Sequence, residues 1–204
     1  MGIFDCTGVI LAGGLNSRMN GVNKALLDIG GQSIMERTLA LFDEIFGRVL
    51  VVSNNPLDFM GFDVKIVSDL FPERCSLAGI HAALFHAETP WIFVAPCDNP
   101  FLSREMVELV LSHRTDGATI VVPETTKGLE PLCAAYSREN LTLAENRLAE
   151  GRYKIQSLFR KKRTRKVAEE KIRRIDPELR SFFNINTPED YRWALDMLAR
   201  KGDG

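Results

Sequence analysis

The chain has 204 residues, of which 45% are apolar and 26% charged, and its formal net charge is −1. This length and apolar content allow one sizeable hydrophobic core, so we expect a single domain over residues 1–204. The near-neutral charge argues against a protein that binds nucleic acid through a basic surface. The apolar runs have the length of strands and the first residues lack the pattern of a secretory signal, so we expect no membrane segment.

The four cysteines, Cys6, Cys75, Cys97 and Cys133, lie far apart with no Cys-x-x-Cys pair. This spacing argues against a zinc site and favours reduced thiols. Reduced thiols are typical of the cytosol, so we expect a cytoplasmic protein.

The first predicted element is the apolar run Thr7–Leu11, whose pattern indicates a buried strand. It leads into two adjacent glycines, Gly13 and Gly14, and then into Arg18 and Lys24. Paired glycines let a backbone turn tightly and bring its N–H groups close to an anion, and the two cations add positive charge. A Walker loop and a Gly-x-Gly-x-x-Gly fingerprint are both absent. The loop therefore predicts a polyphosphate site of another kind, the alternative being an ordinary turn.

Strand-like and helix-like patterns then alternate. A capping box, Ser33-x-x-Glu36, opens the first predicted helix. Continuously apolar strands separated by helices are typical of a mostly parallel sheet covered on both faces. We therefore predict a three-layer α/β/α sandwich whose ligands lie beyond the carboxyl ends of the strands. The later predicted strands are Val49–Ser53, Val64–Ser68, Trp91–Ala95, Ala118–Val122 and Leu132–Tyr136, and the later predicted helices are Leu77–Ala87, Ser103–His113 and one running from a Thr187 cap to about Arg200.

The stretch from Arg160 to Arg174 is strongly basic. It fits a solvated helix or hairpin face, and the alternative is a rim that attracts a phosphorylated second substrate. Nucleic-acid binding is poorly supported because no aromatic residues interrupt the cations.

Asp98 follows the predicted strand Trp91–Ala95 in the sequence Pro-Cys-Asp-Asn-Pro. An unpaired carboxylate is costly to bury, so an acid at the mouth of a buried strand indicates a functional role, although a turn or cap aspartate is the alternative. One carboxylate can hold one Mg²⁺ that takes its other ligands from water and phosphate oxygens. We therefore predict Asp98 as the ligand of a magnesium cofactor.

Four motifs follow one another over essentially the whole chain, namely Leu-Ala-Gly-Gly…Arg-Met…Lys from Leu11, Ser-Asp…Leu-Ala-Gly from Ser68, Pro-Cys-Asp-Asn-Pro-Phe-Leu from Pro96 and Phe-Asn-Ile-Asn-Thr-Pro-Glu-Asp from Phe183. Together they resemble the molybdenum cofactor guanylyltransferases, the MobA-like family of nucleotidyltransferases with a Rossmann-like fold. The last motif is typical of the molybdopterin branch. Leu-Ala-Gly-Gly is typical of its GTP enzymes, whereas the related cytidylyltransferases usually carry Leu-Ala-Ala-Gly.

The resemblance implies transfer of GMP from GTP to molybdopterin bearing molybdenum, with release of pyrophosphate. It implies two substrates, GTP and molybdopterin, and transient contacts with other proteins of molybdenum cofactor biosynthesis or with acceptor proteins. We expect a monomer with no nucleic-acid partner. The implied site residues are Leu11, Ala12, Gly13, Gly14, Lys24, Asn54, Asp69 and Asp98 for the nucleotide, Arg18, Lys24 and Asp98 for catalysis, and Asn184 and Asn186 for the acceptor. Asp69 also suits guanine chemically, since a carboxylate accepts from both N1–H and the exocyclic amine.

The chain departs from the family pattern at Asn20 and Asn23, where glycine and aspartate are usual, and at Cys75-Ser76, where Gly-Pro is usual. These departures favour one alternative, a catalytically silent guanine-nucleotide-binding module. A second alternative is a related nucleotidyltransferase that uses CTP or a sugar phosphate. A third, a nucleic-acid adaptor, would use the basic stretch.

Overall fold

The computed structural model describes residues 4–13, 18–19 and 22–202, with the backbone alone for 18–19 and 200–202. Over these residues the chain forms ten strands and six α-helices. The strands are β1 (Thr7–Leu11), β2 (Arg18–Met19), β3 (Val22–Asn23), β4 (Val49–Val52), β5 (Lys65–Val67), β6 (Trp91–Pro96), β7 (Ile120–Thr125), β8 (Gly128–Leu129), β9 (Ala134–Ser137) and β10 (Thr164–Ala168). The helices are α1 (Ile34–Ile45), α2 (Ser76–His86), α3 (Arg104–Ser112), α4 (Leu141–Ala149), α5 (Glu169–Arg173) and α6 (Pro188–Gly202).

The central sheet has the strand order β10-β7-β9-β6-β1-β4-β5, with β8 paired to β7. The pairs β5–β4, β4–β1, β1–β6 and β7–β10 are parallel. Strand β9 runs antiparallel to both of its neighbours, β6 and β7. The sheet is therefore mostly parallel, as the alternating pattern predicts.

Strand β9 is the element whose prediction needs correction. It begins at Ala134 rather than Leu132 and, like the two-residue β8, runs opposite to the other strands of the sheet. The reversal follows from the hairpin between β7 and β8, in which Thr125 lies opposite Gly128. A hairpin returns the chain beside itself, whereas a helical crossover would have kept the next strand parallel.

Helices cover both faces of the sheet. Neighbouring residues of a strand point to opposite faces, and in β1 both Val9 and Ile10 are completely buried. Ile10 joins a core cluster with side chains of α1 and α3, and Val9 joins a second cluster with side chains of α2 and α4. This arrangement is the predicted three-layer sandwich. The capping box is confirmed, because the Ser33 hydroxyl and the Glu36 carboxylate each accept the other residue's backbone N–H.

The basic stretch forms an edge strand and a short helix, not a hairpin. Because β10 is parallel to β7 and Thr164 lies opposite Ile120, residues 160–163 lie at the amino edge of the sheet. The carboxyl end of β10 is three strands from β6, roughly 14 Å. Several of its cations form ion pairs, Arg163 with Glu139, Lys166 with Glu124, Arg173 with Glu169 and Arg174 with Glu170. The alternative of a rim for a second substrate is therefore wrong for residues 160–163.

Across the part of the chain that the structure describes, we find no helix with the length and apolar character needed to traverse a bilayer. The assignment of residues 1–204 to one domain stays a prediction.

Candidate functional site

A cavity of about 300 Å³ opens at the carboxyl ends of β1, β4 and β6. These three strands are parallel neighbours, so the loops that follow them meet at one edge of the sheet. The residues that line the cavity come from these loops, from the segment before α2 and from the segment before α6. They are Leu11, Gly13, Lys24, Val52, Asp69, Arg74, Cys75, Ser76, Gly79, Pro96, Cys97, Asp98, Leu132 and Asn186.

Lys24 and Asp98 meet in this cavity. The Lys24 side chain is almost fully buried, and its Nζ lies 3.5 Å from Oδ2 of Asp98. The same Nζ donates a hydrogen bond of 2.9 Å to Oδ1 of Asn186. Asn23 fixes the turn that carries Lys24, because its side-chain oxygen accepts the N–H of Ala25. Two predicted nucleotide residues and one predicted acceptor residue thus form a single polar cluster.

The segment that carries Asn186 is tied to the loop that carries Asp98. The backbone N–H of Ile185 donates to the carbonyl of Asp98 at 2.9 Å. The side-chain amide of buried Asn99 donates to the carbonyl of Ser181. These two bonds set the position of Asn186 beside Lys24.

The electrostatics of this cluster follow from burial. Burial raises the pKa of Asp98 above the ordinary value for aspartate, and the charge of Lys24 and its hydrogen bond oppose that rise. Burial also raises the pKa of the neighbouring Cys97 thiol to about 12, so this thiol stays protonated and is a poor nucleophile near neutral pH. Among the described residues, no group of three His, Cys, Asp or Glu side chains is arranged to hold a metal. A cation at Asp98 would therefore need ligands from water or substrate.

Asn54 and Asp69 form a reciprocal pair on the other side of the cavity. Nδ2 of Asn54 donates to Oδ2 of Asp69 at 2.7 Å, and the backbone N–H of Asp69 donates to Oδ1 of Asn54 at 3.1 Å. Burial raises the pKa of Asp69, whereas the bond from Asn54 and the charge of Arg74 lower it. Asp69 lines the cavity, and Asn54 contacts the carboxylate that does so.

The first loop is described only in part. Leu11 and Gly13 line the cavity. The N–H of Ala12 donates to the carbonyl of Val52 at 2.8 Å, and Ala12 packs in the core, so its amide is committed to the sheet. Gly14 and the side chain of Arg18 lie outside the described residues. Their predicted contacts therefore stay predictions, as do the direct nucleotide contacts of Ala12.

Asn184 is not among the described residues that line the cavity. It is half-buried, and its Oδ1 atom is buried without a hydrogen-bond partner in the described part of the chain. Its predicted contact with the acceptor stays a prediction. Asn186, two residues further along the chain, is the asparagine that lines the cavity.

Sequence reasoning missed the contribution of the segment before α2. Arg74, Cys75 and Ser76 all line the cavity. Cys75 and Ser76 are the two residues that stand where the family usually has Gly-Pro. The Sγ atom of Cys75 accepts the N–H of Ala78 at 3.4 Å and so caps α2. The signal in the sequence is a cation, Arg74, three residues before the predicted helix start at Leu77.

Comparisons with known proteins indicate the family and the fold. Residues 8–167 match the profile of the MobA-like NTP transferase domain. A protein of Desulfosudis oleivorans named molybdenum cofactor guanylyltransferase is 40% identical over 92% of this chain and 93% of its own. The crystal structure of molybdopterin-guanine dinucleotide biosynthesis protein A from Archaeoglobus fulgidus superposes with a TM-score of 0.82 at 29% identity, covering 95% of this chain and 99% of that one. A 4-diphosphocytidyl-2C-methyl-D-erythritol synthase from Anaerococcus prevotii, at 16% identity and a TM-score of 0.71 over 96% of each chain, shares the fold.

Proposed function

The chain belongs to the MobA-like NTP transferase family, and we propose that it transfers GMP from GTP to molybdopterin bearing molybdenum, releasing pyrophosphate. The observation that carries this proposal is the meeting of Lys24 and Asp98 in the cavity that Asp69 also lines. Lys24 and Asp98 would bind the triphosphate at one end of the cavity, and Asp69 would bind the base at the other. The name of the 40% identical relative supports guanine as that base.

Asp69 is the residue that we assign to guanine. An ionised carboxylate accepts up to about four hydrogen bonds, so the bond from Asn54 leaves room for the N1–H and the exocyclic amine of the base. Cytosine presents no equivalent pair of adjacent donors, which disfavours the alternative that uses CTP. Asn54 holds the carboxylate in place through its two hydrogen bonds with Asp69.

A magnesium ion fits the donor set at Asp98. The site offers one carboxylate with the amide oxygen of Asn186 nearby, and Mg²⁺ is typically bound through one or two carboxylates together with water and substrate phosphates. Bound there, the ion would neutralise phosphate charge and polarise the phosphoryl group.

The residues of the chain have to bring two anions together. The terminal phosphate of molybdopterin is already ionised near neutral pH because its second pKa is about 6, so no general base is needed. One of its oxygens forms a bond to the α-phosphorus of GTP, the bond from that phosphorus to the bridging oxygen breaks, and pyrophosphate leaves with the electron pair. Lys24 holds a positive charge at this point and stabilises the charge that develops on the phosphoryl oxygens.

Pyrophosphate release tests this function. The protein, GTP, Mg²⁺ and molybdopterin isolated from a molybdoenzyme should together give pyrophosphate and a guanine dinucleotide of the pterin. Omitting molybdopterin, replacing it by a sugar phosphate, or replacing GTP by CTP should abolish the signal. A protein that binds GTP but releases no pyrophosphate in the complete mixture would be the silent nucleotide-binding module instead.

We further propose that the enzyme is a cytoplasmic monomer that contacts other proteins of molybdenum cofactor biosynthesis transiently. The four free cysteines support a reducing compartment. Gel filtration with light scattering tests the monomeric state.

A further inference from the structure

Three aromatic rings, Phe101, Phe183 and Trp193, pack together on α6 and on the two segments that lead to Asp98 and Asn186. The ring centroids of Phe183 and Trp193 are 4.5 Å apart, and the ring of Phe101 lies 5.7 Å from that of Trp193 and 5.8 Å from that of Phe183. Trp193 remains 40% exposed although two rings support it. A large aromatic side chain that is held in place yet open to solvent is typical of a contact surface for a ligand.

The two supporting rings belong to the segments that build the catalytic cluster. Phe101 lies on the loop that carries Asp98, and Phe183 lies on the segment that carries Asn186. The hydrogen bond from Ile185 to the carbonyl of Asp98 joins these two segments. Trp193 lies on α6, about 9 Å along the helix from its Thr187 cap. The aromatic cluster is therefore held by the same two segments that carry Asp98 and Asn186, although none of its rings lines the cavity itself.

We propose that Trp193, braced by Phe101 and Phe183, is the platform on which the pterin ring system of the acceptor stacks. This inference rests on the proposed function, because that function supplies a pterin whose phosphate must reach the cluster of Lys24 and Asp98. A planar heteroaromatic ring stacks on an exposed indole face whatever its substituents. Because the neighbouring rings hold the indole, little side-chain entropy is lost when the pterin binds.

The polar surroundings suit a pterin. Asn184, next to Phe183 in the chain, has a side-chain oxygen with no hydrogen-bond partner in the described part of the molecule. A pterin carries ring N–H and amino donors, and one of these would pair with this acceptor when the ring system stacks on Trp193. An unpaired buried acceptor is costly, so the pairing favours the bound state.

Three variants test the platform by steady-state kinetics. Trp193→Ala should raise the KM for molybdopterin roughly 5- to 100-fold, the range for loss of one stacked ring, and leave the KM for GTP within about twofold. Trp193→Phe should restore most of the loss. Phe85→Ala is the matched control, since Phe85 is an aromatic residue 52% exposed near the C-terminal end of α2. This variant should leave both KM values unchanged. An unchanged KM for molybdopterin in Trp193→Ala, or an equal rise for both substrates, would overturn the proposal.

Fluorescence tests the platform without the transfer reaction. The chain has two tryptophans, so Trp91→Phe leaves Trp193 as the single reporter. Titration with 6-hydroxymethylpterin should quench this reporter to saturation, and the same titration should leave Trp193→Phe, which reports on Trp91, unchanged after correction for absorption. Equal responses from the two variants, or none, would contradict the platform. Should guanylyl transfer be absent from the wild type, this measurement still decides the inference separately from the proposed function.

Discussion

Nζ of Lys24 lies 3.5 Å from Oδ2 of Asp98, and the lysine is buried while the aspartate stays partly open to the cavity. A buried cation without a partner is costly, so the aspartate stabilises the lysine where the phosphates are expected. The exposed side of the carboxylate remains free to bind a cation. One ion pair thus places both charges that phosphoryl transfer needs at the same end of the cavity.

Asn186 should affect the nucleotide as well as the acceptor. Its side-chain oxygen accepts from Nζ of Lys24, so Asn186→Ala removes a hydrogen bond to a charged group. We expect the KM for GTP to rise about 10-fold or more. Asn184→Ala, which changes no described contact of Lys24, is the control and should alter only the KM for molybdopterin. An unchanged KM for GTP in Asn186→Ala would show that this bond does not position Lys24.

The loss of GTP affinity at low pH (the acidic limb of the binding curve) should follow the protonation of Asp69. The carboxylate must be ionised to accept two donors from guanine, and burial raises its pKa, so GTP affinity should fall at a higher pH than an ordinary aspartate would dictate. The bond from Asn54 lowers this pKa. Asn54→Ala should therefore move the limb to still higher pH.

Isothermal titration of GTP against pH in wild type and Asn54→Ala measures that shift. The phosphates of GTP titrate identically in both proteins, so the difference between the two curves belongs to the protein. Superimposable curves would mean that Asn54 does not tune the carboxylate.

Much of this site could be predicted, because its residues follow apolar strands whose carboxyl ends must meet in a parallel sheet. The strand pattern predicts Asp69 and Asp98 at that edge, whereas Lys24 is predicted from the motif of the first loop. The bond between Lys24 and Asn186 could not be predicted, since it depends on how the segment before α6 docks on the loop after β6. The direction of β9 could not be predicted from the sequence either, because the two-residue strand β8 is too short to give a hydrophobic pattern. Its turn depends on Gly128, whose φ of 128° suits glycine.

Gly8 should tolerate no side chain. A Cβ atom at this position of β1 would lie 2.5 Å from Cδ2 of Phe46 and 2.6 Å from Cδ2 of Phe42. Both rings lie in the core, so Gly8→Ala should lower the free energy of unfolding by about 1–3 kcal/mol. Urea denaturation measures the change. Gly61→Ala, where a Cβ would have no neighbour within 4 Å, is the control, and equal midpoints for the two variants would refute the clash.

The nucleotide preference should show in thermal stability. A ligand that binds only the folded state stabilises it by about 2.7 kcal/mol at 100 times its Kd. With Mg²⁺ present, GTP should raise Tm more than CTP or ATP at equal concentration, and Asp69→Asn should lose most of that difference. A larger shift with CTP would place the chain with the cytidylyltransferases.

Single-turnover release of pyrophosphate from GTP, with molybdopterin and Mg²⁺ present, tests most directly whether Lys24 and Asp98 act on one triphosphate. Lys24→Ala and Asp98→Asn should each slow release roughly 100-fold or more, and the double variant should be little slower than either, because the two groups serve one transition state. Asp116→Asn, which changes an exposed aspartate before β7, should match the wild type. A wild-type rate in either single variant would contradict the account.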